Sequence, residues 1–397
     1  VYDLDGIAQA ARSIVESFDG TPHLVAYATK ANSAGPVLHT LFAQGCGADV
    51  VSGGELELVL RTGLDPQKIV FSGVAKRDDE IDQALSVGPR GVLALQAESV
   101  EEVHRIAARS RTLGRHARVS LRINPSIKID THAHVATGHD AAKFGVARGD
   151  IGDAFAAVDA HSSVQLVGLS THIGSTQTSV EPYIAAARVL FEAARAREAQ
   201  GGPLDFVDAG GGFGIDYGAG CPVTPGDFIR ALTRAQGEAG VAHLTLLVEP
   251  GRSMVGPFGT LVAGVIQSKV SSATGRRWLM IDAGMNDLVR PAMYQARHRI
   301  EPVLVDPAVP VAEYRVVGPI CESADDFGSF ELPIELAPAF VVIRDAGAYG
   351  YTMASQYNGR ALPTEVFVAG GRVVGVLQPP PVDRWVEDRL RAPSPHA

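Results

Sequence analysis

At 397 residues, with 46% apolar and 20% charged side chains, the chain is long enough for one large α/β barrel plus a second domain, and too apolar to be disordered throughout. Its formal charge, 35 − 44 = −9, comes without any long basic run, which sets nucleic acid aside as a partner. The apolar runs at 245–248 and 260–266 fall far short of the roughly 20 residues that a membrane span requires, so no membrane partner is expected. Cys46, Cys221 and Cys321 are odd in number and lack C-x-x-C spacing, which argues against a disulfide framework or a zinc cluster and for a reducing cytoplasm. The chain opens at Val1 within what already reads as a strand, so some N-terminal residues are expected to be missing.

After a first strand at Val1–Asp3, short runs rich in Val, Ile and Leu alternate with helical patterns. The runs lie at 23–31, 48–52, 68–73, 91–96, 117–124, 166–174, 204–212 and 244–251. Between them, apolar residues recur at three and four over 35–45, 54–62, 78–87, 99–113, 150–160, 181–199 and 225–239. Eight strands with intervening helices predict a TIM-type (β/α)₈ barrel over 6–258, with a doubly wound sheet as the rival. Beyond residue 258 the helical period gives way to strand-like runs at 259–270, 276–284, 314–320, 339–347 and 365–378. These predict a mainly β domain over 259–397, joined by the strand in residues 1–5.

In such a barrel the chemistry gathers where strands end, and the polar residues at those positions are Lys30, Ser52, Asn124, His172, Gly210 to Gly212, and Glu249 with Arg252. Lys30 ends an apolar strand, where desolvation favours the neutral, nucleophilic amine. The glycines of DAGGGFG suit a phosphate-binding loop, and they lack the G-x-G-x-x-G spacing of a dinucleotide site. Glu249 in EPGR suits a carboxylate facing a protonated pyridine nitrogen, and His172 suits a ring stacked on the same group. Lysine, phosphate loop, carboxylate and imidazole together indicate pyridoxal 5′-phosphate. His132, His134 and His139 share one loop without accompanying Cys or carboxylate spacing, so no metal is expected.

At these residues the sequence resembles the fold-type III pyridoxal 5′-phosphate-dependent decarboxylases, and within them the diaminopimelate decarboxylases. The resemblance runs through YATKAN around Lys30, GADVVSGGEL (47–56), the segment 123–146, HIGS (172–175), DAGGGFG (208–214) and EPGRSMVGP (249–257). It continues through DAGMNDLVRPAMY (282–294), GPICESADDF (318–327) and AGAYGYTMASQYNGR (346–360). It implies an alanine racemase-like barrel with a β-rich C-terminal domain, and decarboxylation of meso-2,6-diaminopimelate to L-lysine. It also implies that Lys30 carries the cofactor, His172 stacks on it and Glu249 contacts its nitrogen. Ser175, Gly211, Gly212, Gly251, Arg252 and Tyr349 would hold the remainder, chiefly the phosphate. Substrate would meet Arg252, Arg290, Tyr294, Glu322 and Tyr349, and Cys321 would reprotonate the carbanion.

Arg252 and Arg290 suit carboxylates and Glu322 suits an amine, so the distal pocket reads as zwitterionic. A related decarboxylase of ornithine, arginine or a carboxylated polyamine is the alternative. The resemblance further implies a homodimer with shared active sites. Thr176 stands where the family often has Gln, and Ser126 where Asp is usual.

Overall fold

The computed structural model describes residues 1–127, 143–304, 308–334 and 339–391; His132, His134 and His139 lie outside the described residues. It comprises two compact units, one of Gly6–Asp216 with Gly220–Met254, the other of Val1–Asp5, Tyr217–Ala219 and Val255–Ala397. Strand β1 (Tyr2–Asp3) belongs to the second of these.

The first unit is built on β2 (His23–Ala28), β3 (Gly47–Val50), β4 (Ile69–Phe71), β5 (Ala94–Ala97), β6 (Ala117–Asn124), β7 (Val146–Ala147), β8 (Val164–Ser170), β9 (Phe206–Asp208) and β10 (Thr245–Val248). The strands are parallel in the order β5-β4-β3-β2-β10-β9-β8-β6, and a β5–β6 pairing closes the ring into an eight-stranded barrel. That closure excludes a doubly wound sheet. The two-residue β7 pairs in parallel with Ile123 and Asn124 at the end of β6. Helices fall between the strands because the local chemistry starts and stops them there. Ser52 and Ser99 hydroxyls cap the helices Gly53–Arg61 and Val100–Leu113, and Gly114 ends the latter at φ +60°. Thr224 and Asp227 form a reciprocal capping box at the start of Pro225–Glu238.

Inside the barrel a layer of Val70, Ala94, Val167, Phe206 and Leu247 is fully packed. Phe206 owes its room to Gly168 on the neighbouring strand, because a Cβ there would overlap the phenyl ring. Polar residues sit one level above this layer. The strand registers set Arg122 opposite Ser170, Ser170 opposite Asp208, and Ala28 opposite Asp49.

The second unit is mainly β. Its six-stranded sheet comprises β11 (Leu261–Val270), β12 (Arg277–Ile281), β13 (Ile300–Pro302), β14 (Val311–Val317), β15 (Asp326–Pro333) and β16 (Phe340–Ile343), in the order β13-β16-β11-β12-β14-β15. Leu279, Ile281, Val316, Leu332, Val341 and Ile343 supply its core. A smaller sheet joins β1 in parallel to β17 (Glu365–Ala369), which pairs antiparallel with β18 (Arg372–Leu377). The expectation that helical structure stops at residue 258 needs correction. A helix runs from Val382 to Leu390, with a short one at Arg290–Tyr294. No helix among the described residues is long and apolar enough to cross a membrane.

Candidate active site

Lys30 does not end a strand; it lies in the single helical turn Thr29–Ala31 that follows β2. Nor is its surrounding apolar. Its Nζ makes an ion pair with Asp49 of β3, whose carboxylate is fully buried while the lysine side chain remains 40% exposed. Asp49 reaches this position because it stands in register with Ala28, two residues before the lysine.

The turns after β8, β9 and β10 are tied into one rim. The Gln177 N–H donates to Gly212 O at 2.8 Å, and the Gly214 N–H donates back to Gln177 O at 3.0 Å. The Glu249 N–H donates to Gly210 O at 2.9 Å, and the Ala28 N–H to Pro250 O at 3.0 Å. These contacts require glycine. A Cβ at Gly210, Gly211 or Gly212 would overlap the carbonyl of Thr171, Glu249 or Gly174 respectively, and Gly210 and Gly212 hold φ of +71° and +106°. The rim at this point is bare backbone.

His172 follows β8 and accepts at Nδ1 from the Gly211 N–H at 3.1 Å. Gly211, expected at a phosphate, thus spends its donor on the imidazole. Burial first, then the charges of Arg122 and Lys30, holds the histidine well below its usual range, so the ring is neutral with its proton on Nε2. Arg122 of β6 lies behind it, donating to Glu98 Oε1 at 2.9 Å and packing over Phe144. Glu98 also accepts from the Gly145 N–H at 2.8 Å, fixing the end of the segment that returns to β7.

Glu249 follows β10 and Asp208 ends β9; both carboxyls are raised above the usual range, chiefly by burial, with Asp208 at about 6. Ser175 lies on the turn after β8, half-buried, and Gly251 and buried Arg252 follow Glu249. Thr176 and Ser126, the two departures, both adopt left-handed backbone at φ +65° and +57°. Ser126 is held there by its N–H, which donates to Asn124 Oδ1 at 3.0 Å.

The remaining expected residues belong to the second unit, where they form their own arrangement. Cys321 and Glu322 lie on an exposed turn after β14. The Cys321 N–H donates to Asn358 Oδ1 at 3.0 Å, and Tyr357 Oη donates to Glu322 Oε1 at 2.7 Å. Asp325 ties this turn to the segment before Arg290, accepting from the Met285 and Ile320 N–H groups at 2.6 Å each. Arg290 is buried, donating from Nε to His298 Nε2 at 3.4 Å and packing over Tyr217. Tyr294 closes the same short helix, and Tyr349 holds a left-handed φ of +56°.

Sequence reasoning missed Asp49, Glu98 and Arg122 as parts of the barrel group. Each is a charged residue in or just after a barrel strand, which was the available signal. Among the described residues no group of three His, Cys, Asp or Glu side chains is arranged to hold a metal ion.

The comparisons with known proteins agree with this architecture. Residues 4–256 match the family described as pyridoxal-dependent decarboxylase, pyridoxal binding domain. The chain is 36% identical to a diaminopimelate decarboxylase of Zymomonas mobilis, over 98% of this chain and 92% of the relative. It is 39% identical to that of Pseudomonas aeruginosa, over 93% and 87%. The structure superposes on the crystal structure of diaminopimelate decarboxylase from Helicobacter pylori complexed with L-lysine at a TM-score of 0.91, with 36% identity over 98% of this chain and 96% of that one.

Proposed function

The chain belongs to the pyridoxal-dependent decarboxylases, in the diaminopimelate decarboxylase family, and from that premise we propose that it converts meso-2,6-diaminopimelate to L-lysine and CO₂, the last step of lysine biosynthesis. The observation that carries the reading is the gathering of Lys30, His172 and Glu249 on one barrel rim, with three obligatory glycines between the last two.

This rim fits pyridoxal 5′-phosphate. Glu249 Oε1 is buried with no hydrogen-bond partner, as suits an atom that awaits a protonated ring nitrogen. A neutral His172 can lie against an aromatic ring without burying a charge, and the glycine turn admits no side chain where a phosphate would rest. When bound, the cofactor supplies the electron sink for the carbanion left by loss of CO₂.

The protein's residues do the rest. Lys30 Nζ is the point of covalent attachment, and Asp49 Oδ2, in direct contact with it, is placed to take a proton from it. Ser175, Gly212, the backbone at Gly251, Arg252 and Tyr349 hold the phosphate, while Gly211 acts on the cofactor ring through His172. Arg252, Arg290, Tyr294, Tyr349 and Glu322 hold the substrate. Tyr357 orients the Glu322 carboxylate towards the distal amine. Cys321 Sγ gives a proton to the α-carbon once CO₂ has left.

We place the enzyme in the cytoplasm as a homodimer with shared active sites, the β-rich unit contributing both to the dimer and to the substrate site. The test is to incubate the protein with pyridoxal 5′-phosphate and meso-diaminopimelate, following CO₂ and lysine, with ornithine and arginine in parallel. Lysine from the diacid alone is expected. Turnover of ornithine or arginine in its place overturns the substrate and keeps the cofactor.

A further inference from the structure

We propose that Asp208 and Glu249 share one buried proton, and that Asp208 is a positioning residue that keeps this proton beside the ring nitrogen of the cofactor. The inference rests on the placing of Glu249 against that nitrogen and deepens it.

The two residues stand at the ends of adjacent strands, with Leu247 in register with Asp208, and their carboxyl groups lie within hydrogen-bonding range of each other. Asp208 is completely buried, and its Oδ1 accepts from the Gly210 N–H at 2.8 Å. Its Oδ2 and Glu249 Oε1 are both buried without a hydrogen-bond partner. Ionised carboxylates only accept, so two of them in contact repel and leave oxygens unsatisfied unless one carries a proton. A single shared proton resolves both defects.

The charges around the pair point the same way. Asp49 on β3 adds a third carboxylate, facing the cations Lys30 and Arg122. Arg122 is engaged by Glu98 and Lys30 by Asp49, so neither cation is left over to offset the two charges of the pair. Tyr183, from the helix Glu181–Ala199, gives its hydroxyl hydrogen to Gly210 O at 3.2 Å, so it does not supply the missing donor. Burial lifts both carboxyls, and a pair this close titrates as one unit. On loading, the pair gives up its proton. The O–H bond would break with its electrons left on the carboxylate and a nitrogen–hydrogen bond would form. The ring's positive charge would then take over from the proton in offsetting the two carboxylates, with Asp208 still held by the Gly210 N–H.

Infrared spectra of the full-length protein before and after addition of pyridoxal 5′-phosphate test this directly. The unloaded wild type at neutral pH is expected to show a protonated-carboxyl stretch, sensitive to heavy water, that disappears on loading and is absent from Asp208→Asn and Glu249→Gln. Calorimetry across buffers of different ionisation enthalpy should show Asp208→Asn taking up about one proton more per chain than wild type on binding the cofactor. No such stretch in the unloaded wild type, or an unchanged proton count in the variant, overturns the proposal. A stretch that is present but survives loading keeps the shared proton and overturns its transfer, which separates failure of the pair from failure of the Glu249 assignment. The wild-type spectrum is decisive even if neither variant folds.

Discussion

Lys30 and Asp49 form an ion pair between adjacent barrel segments, in which the carboxylate is wholly enclosed and the ammonium partly reaches solvent. The asymmetry has consequences for stability. Removing the lysine strands a buried charge whose Oδ1 has no hydrogen-bond partner, whereas removing the carboxylate leaves an amine that water can solvate. Lys30→Met should therefore destabilise the unloaded protein by about 3 kcal/mol, Asp49→Asn by clearly less, and the double variant should recover part of the loss. Urea midpoints of the three variants check the order. Lys30→Ala should also lose covalent cofactor attachment and multiple turnover; full turnover in that variant would exclude its assigned role.

On the roles proposed for Cys321 and Glu322, proton donation and substrate recognition can be separated. Cys321→Ala should lower kcat by about 10²–10⁴-fold while leaving cofactor affinity unchanged. Tyr357→Phe removes the hydroxyl that holds Glu322, so KM for the diacid should rise with a smaller change in kcat. Steady-state kinetics with both variants distinguish the two roles, and a kcat defect without a KM change in Tyr357→Phe would count against the recognition role of Glu322.

Asp287 predicts a pH dependence in the β-rich unit. Burial is the main cause that lifts its carboxyl from 3.8 to about 6, against the Gly284 N–H that donates to it at 2.9 Å. The folded state then binds the proton more tightly than the unfolded chain, so this stabilisation is fully present below about pH 4 and is lost as pH rises through about 6. Asp287→Asn cannot ionise. The stability of wild type relative to this variant should fall between about pH 4 and 6 and be level above, as measured by thermal unfolding at a series of pH values.

Gly168 and Phe206 make a packing prediction independent of chemistry. Gly168→Ala drives a methyl into the phenyl ring inside the closed barrel and should cost about 1–3 kcal/mol. Phe206→Leu, combined with it, should restore part of that loss. Additive destabilisation in the double variant would show that the two side chains do not compete for one space.

The barrel was legible because each strand is an apolar run bounded by helices with their own caps, such as Ser52 and Ser99. Linear order also suffices to place Lys30, His172 and Glu249 on the segments that follow three barrel strands, though not to show that Lys30 lies in a helical turn. What periodicity does not contain is register. Asp49 reads as one polar residue in GADVV until pairing with β2 sets it opposite Ala28 and so beneath the lysine. The same holds for Arg122, which stands opposite Ser170, itself opposite Asp208, only through the β6–β8 and β8–β9 pairings. In the β-rich unit, the missed strands Ile300–Pro302 and Asp326–Pro333 carry proline, glycine or charge and lack a clean alternation. The helix Val382–Leu390 was missed although Val382, Trp385, Val386 and Leu390 recur at helical spacing; none of its residues is buried.

The bond from the Gly211 N–H to His172 Nδ1 makes one mechanical part out of what would otherwise be two. The imidazole plane and the glycine turn are coupled, so the face proposed to meet the cofactor ring and the loop proposed to meet its phosphate keep a fixed spacing. Substitutions at the two positions will then not report on two separate contacts. Each disturbs the other's geometry, and the affinity lost with both changed together will be less than the sum of the separate losses.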